Sequence, residues 1–73
     1  MFYFFQRERE TVTCEMRPSR SGAGFDLVIM RPGAVVQTEH HESMADMHKR
    51  WLQLQEEFRA EGWWGPAASH DPR

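Results

Sequence analysis

The stretch SMADMHKRWLQLQEEF, Ser43–Phe58, decides the fold. Met44, Met47, Trp51, Leu54 and Phe58 recur at spacings of three and four, which sets them in one stripe along an α-helix. Lys49, Arg50, Gln53, Glu56 and Glu57 fall on the opposite side. Ser43 stands where a cap hydroxyl accepts an orphan backbone N–H, with Asp46 three residues on as in a capping box. Gly62 stands where a left-handed cap ends such a helix. A helix with one apolar stripe needs a surface to cover, and that surface has to come from the residues before it.

Those residues read as strands. Thr11 to Arg17 alternates: Val12, Cys14 and Met16 point one way, Thr11, Thr13, Glu15 and Arg17 the other. Phe25 to Arg31 repeats the pattern, with Phe25, Leu27 and Ile29 against Asp26, Val28 and Met30. Phe2-Tyr3-Phe4-Phe5 is aromatic enough for a first strand, but its inward face can be Tyr3 with Phe5 or Phe2 with Phe4. Arg7-Glu8-Arg9-Glu10 and Pro18–Gly24 connect these segments as a charged, solvated link and a loop. Pro32-Gly33 predicts a tight turn, Pro presetting the first dihedral and Gly accepting a positive one. A fourth strand from Ala34 to His40 or His41 follows, with no convincingly apolar face, as suits a sheet edge. Strands first and one helix last give an α+β fold: a four-stranded antiparallel meander sheet packed by one C-terminal amphipathic helix. With 73 residues this is a single domain, placed at residues 1–66, followed by a disordered tail from 67 to 73. Trp63 and Trp64 are too apolar to stay in water, so at least one is expected to fold back onto the sheet edge or the base of the helix.

Composition bounds the function classes. Net charge is −2, with five Arg against four acids in residues 1–31 and four cations against seven acids in residues 32–73. A nucleic-acid binder usually carries a clearer basic excess. The apolar run Met1–Phe5 is far short of the ~20 residues that span a bilayer and lacks a basic stretch before it. These features predict a cytoplasmic protein that keeps its one cysteine, Cys14, reduced. Alternation with Val12 and Met16 makes Cys14 a core residue, and the sequence names no base to activate it. His40, His41 and His48 fit no metal-ligand spacing, because adjacent strand residues point to opposite faces. Ser21-Gly22-Ala23-Gly24 lacks the Lys and the following helix of a phosphate loop. Leu52 lies off the helix stripe as a single exposed Leu, or as an extension of a dimer contact along the helix. No catalytic residue, cofactor or metal is expected.

One helix leaves the second face of a sheet uncovered. The candidate interaction surface there is Tyr3, Phe5, Arg17, Val28 and Met30. Three occupants come into question: the Trp63-Trp64 segment, a second copy or another protein, and stacked nucleic-acid bases. The expected function is a non-enzymatic interaction module, self-associating as a homodimer through the uncovered face or edge. The alternative is a single-stranded nucleic-acid binder, with bases on the aromatics and phosphates on Arg7, Arg9, Arg17 and Arg31.

Several stretches also carry a resemblance. They are Thr13-Cys14-Glu15-Met16-Arg17, Gly24-Phe25-Asp26-Leu27-Val28-Ile29 with Arg31-Pro32-Gly33, and Trp51-Leu52-Gln53-Leu54-Gln55. The most distinctive is the ending Glu61-Gly62-Trp63-Trp64-Gly65-Pro66 with Asp71-Pro72-Arg73. In these the chain resembles a class of small uncharacterised bacterial proteins. The resemblance covers most of the chain and implies a meander sheet plus a helix. It implies no activity and no site residue.

Overall fold

Strand alternation and helix period meet in one core. The structure is a computed structural model and describes residues 1–69. Its elements are β1 (Phe2–Arg7), β2 (Glu10–Pro18), β3 (Phe25–Met30), β4 (Gln37–His41), α1 (Met44–Ala60) and β5 (Trp64–Ser69). The five strands form one antiparallel sheet in the order β4-β3-β2-β1-β5. β1 to β4 are the expected meander. α1 then carries the chain across one face to the far edge, where β5 pairs with β1.

The fifth strand corrects the expectation of four. Trp64-Gly65-Pro66-Ala67-Ala68-Ser69 holds Gly, Pro and Ala, which have little intrinsic preference for a strand. The open edge of β1 supplies the pairing that local propensity does not. β5 also carries ordered chain to Ser69, past residue 67 where a structureless tail was expected. Residues 70–73, the rest of that expected tail, lie outside the described residues.

The helix begins and ends as its sequence indicates. The Asp46 N–H donates to Ser43 Oγ at 3.1 Å, and Gly62 takes a φ of 93° just past the last turn. Met47, Trp51, Leu54 and Phe58 are buried against Val12, Cys14, Leu27 and Ile29. Met44, the first member of the stripe, stays exposed. Arg31 to Ala34 form the predicted turn, with the Ala34 N–H on the Arg31 carbonyl and Gly33 at a φ of 70°. β4 starts only at Gln37, so Val35 and Val36 remain exposed in the connection.

Register settles which aromatics of β1 are core. Tyr3 lies opposite Cys14 and Phe5 opposite Val12, and directly paired residues share a face. Phe5 is fully buried, with its ring 4.7 Å from Phe58 and 5.8 Å from Trp51; Tyr3 stands 5.0 Å from Trp51. The candidate surface is thereby corrected: Tyr3 and Phe5 are on the helix side, and Phe2 and Phe4 take the uncovered side.

Cations close the margins of this core. Arg7 lies 4.3 Å over the Trp63 ring and Arg31 lies 4.7 Å over Phe58. Arg7 also donates to the Glu61 carbonyl at 2.8 Å, at the negative end of α1. β4 is tied to α1 by charge instead of apolar packing. Arg50 donates to both Glu39 carboxylate oxygens, at 3.0 and 3.1 Å, and also reaches Glu57 at 3.4 Å. The Arg50 hydrogen bonds hold the Glu39 carboxyl below the usual carboxylate range, outweighing its partial burial.

Candidate functional site

The face away from α1 has no second layer over it among the described residues. β3 runs near its middle and contributes Asp26, Val28 and Met30, while β2 contributes Thr11, Thr13, Glu15 and Arg17. Val28 is only 5% exposed, although it stands apart from the helix-side core. Its register partners Glu15 and Thr38 flank it, and its strand neighbours two residues away are Asp26 and Met30. A β-branched residue at the centre of a sheet can be shielded by such neighbours alone.

Toward β5 the face becomes aromatic. Phe2 pairs with Glu15 and Phe4 with Thr13, which places both rings on this side. Trp64 pairs with Gln6 and joins them, with 66% of its surface exposed. Trp63 points the other way into the core at 5% exposure, its ring 6.4 Å from Phe58 in an edge-on arrangement. The Trp63-Trp64 segment therefore does not fold over the uncovered face. It extends that face by one strand and adds a large aromatic to it. Of the two pairs that the sequence left open in β1, Phe2 with Phe4 takes this face; Trp64 as a surface residue was missed, although alternation in an extended segment does send adjacent tryptophans to opposite sides.

Charge on this face is mixed and mostly paired. Arg17 Nη1 lies 3.4 Å from Glu15 Oε1, and His40 Nδ1 lies 3.1 Å from Asp26 Oδ1. His40 Nε2 also stands 3.4 Å from Glu42. Arg17 Nε is buried with no hydrogen-bond partner among the described residues. Of the five expected surface residues, Arg17, Val28 and Met30 share this face, and Tyr3 and Phe5 do not.

The remaining chemistry is dispersed. His40 faces outward, while His41 sits on the other side of β4, 3.4 Å from Glu39. Among the described residues no three His, Cys, Asp or Glu side chains come together as a metal site. Cys14 is fully buried, and burial pushes its thiol up to about 11 against the opposing pull of Arg31. The four arginines of the nucleic-acid alternative do not share the aromatic face. Arg7 and Arg31 are on the helix side over Trp63 and Phe58, and Arg17 is held by Glu15. No helix among the described residues is long and apolar enough to cross a membrane. Comparison with protein-family models, with curated proteins and with solved structures finds no match to this chain.

Proposed function

We propose that this protein is a small interaction module that pairs with a second copy of itself through the uncovered sheet face. The observation that carries the reading is that Phe2, Phe4 and the exposed Trp64 lie on one side of β1 and β5, on a face with no layer over it among the described residues, with Met30 on the same face across Thr13 of β2. An exposed Trp is among the side-chain types that dominate association energetics. Mixed charge supports a second copy over a strongly charged partner. A two-fold axis brings each patch onto itself, so Arg17 and Glu15 of one copy can exchange partners with those of the other. The loss of Arg7 and Arg31 to core packing weighs against the nucleic-acid alternative.

Light-scattering mass across a dilution series tests the reading. The intact chain is expected to run as a dimer that dissociates on dilution, free of nucleic acid by its absorbance ratio. Trp64→Ala combined with Phe2→Ala is expected to weaken dimerisation about 100-fold or more, at about 1.4 kcal/mol per decade, with the helical circular dichroism retained. A monomer at all concentrations, or a dimer that ignores the double substitution, refutes it.

A further inference from the structure

A groove of about 420 Å³ opens on the helix side of the sheet, away from the face described above. Its floor is Tyr3, Met16 and Phe25, and its wall is Met44, Met47 and Trp51 from the N-terminal half of α1. It lies at the margin of the core, where Tyr3, Met16 and Phe25 are half-buried beside the buried Met47 and Trp51 and the exposed Met44 at the start of α1. Met1 and Met44, 70% and 57% exposed, make its rim. We propose that this groove binds an uncharged aromatic small molecule.

Size is the first support. Small-molecule sites occupy about 300–1,000 Å³, and this groove falls in the lower part of that range. The lining is the second. Three aromatic rings and four thioethers offer stacking and sulfur–ring contacts, and methionines adapt their shape to a flat guest. The small share of charge in the lining is the third. The Tyr3 hydroxyl donates to Met1 Sδ at 2.7 Å, the Met1 ammonium donates to the Met16 carbonyl at 3.1 Å, and Arg17, the one permanently charged side chain among the lining residues, reaches Glu15 through Nη1 at 3.4 Å while its Nε has no partner among the described residues. The N-terminus of α1 is capped by Ser43, and Asp46 in its first turn offsets the positive end of the helix. A cation would lose hydration on entering and meet no carboxylate among the lining residues, and a predominantly apolar lining favours a neutral guest. His48 on the wall supplies one imidazole that can donate or accept a single hydrogen bond, which suits a neutral heterocycle or phenol.

The methionines make the proposal testable in the intact chain. Four of the five line the groove, and the fifth, Met30, is on the opposite face of the sheet. With isotope-labelled methionine methyls, titration of the neutral probe N-phenylnaphthylamine is expected to shift Met1, Met16, Met44 and Met47 and leave Met30 in place. Probe fluorescence should rise and saturate at a single probe per chain. Met44→Glu, at an exposed rim position, is expected to lower probe affinity at least about tenfold while circular dichroism stays unchanged. No saturable binding, equal binding by Met44→Glu, or a probe that moves Met30 with the other methyls overturns the proposal. Met30 also separates this inference from the dimer reading, since self-association through the sheet face moves Met30 and needs no probe.

Discussion

Two adjacent tryptophans with opposite fates give the most demanding test of the fold. Trp63 is 5% exposed, packs edge-on against Phe58 and lies under the Arg7 guanidinium, whereas Trp64 is 66% exposed. Truncating a buried Trp to Ala costs about 3–5 kcal/mol, and losing the cation–π contact adds about 0.5–1 kcal/mol. A chain of this length has a total stability of about 4–11 kcal/mol, so Trp63→Ala should leave it close to unfolding in water. Trp63→Phe keeps a ring in the site and should cost about 1–2 kcal/mol. With a urea slope of about 1 kcal/mol/M, that lowers the unfolding midpoint by about 1–2 M. Trp64→Ala loses no core contact, and its expected cost is about 0.5 kcal/mol or less. Urea titrations followed by helical circular dichroism read all three variants, at concentrations low enough that association does not contribute. Acrylamide should quench the indole of Trp64 and spare that of Trp63. A Trp64→Ala shift as large as that of Trp63→Phe would falsify the assignment of faces in β5, and with it the aromatic surface built on Trp64.

Two further outcomes follow from titratable groups in the core and at its margin. Glu39 has its folded-state pKa depressed by Arg50, so its contribution to stability is present above the unfolded carboxylate value and is lost as pH falls through the folded one. Unfolding free energy should therefore drop below about pH 4.5, and Glu39→Gln should flatten that acid limb. At neutral pH the same substitution should cost about 0.5–1 kcal/mol, the range for a partly solvated pair; a full acid limb in Glu39→Gln contradicts the tie between β4 and α1. Cys14, fully buried and with its thiol raised to about 11, should resist alkylation at pH 8 in the native chain and react at once in denaturant. Labelling at the same rate in the folded and unfolded chain would put Cys14 outside the core.

Local chemistry determined most of the elements before any tertiary contact. Ser43, Asp46 and the stripe from Met47 to Phe58 specify α1 because capping and helical period are properties of neighbouring residues. The alternation of Val12 with Cys14 and of Leu27 with Ile29 likewise fixes β2 and β3 and the side of each that meets the helix. Arg31-Pro32-Gly33-Ala34 carries its turn in its own dihedral preferences. The face of β1 was not legible, because four consecutive aromatics give alternation nothing to distinguish; pairing with Val12 and Cys14 chose Tyr3 and Phe5 for the core. The helix-facing side of β4 was not legible either, since Gln37 to His41 has no apolar set, and the Glu39–Arg50 pair chose it. β5 lay furthest from reach. Its Gly, Pro and Ala residues have no local reason to extend, and only the unpaired edge of β1, about sixty residues away in sequence, gives their backbone groups partners. That long-range pairing also sends Trp63 inward and Trp64 outward. The surface on which the functional reading rests is thus a product of tertiary structure, assembled from residues whose sequence neighbours say nothing about one another.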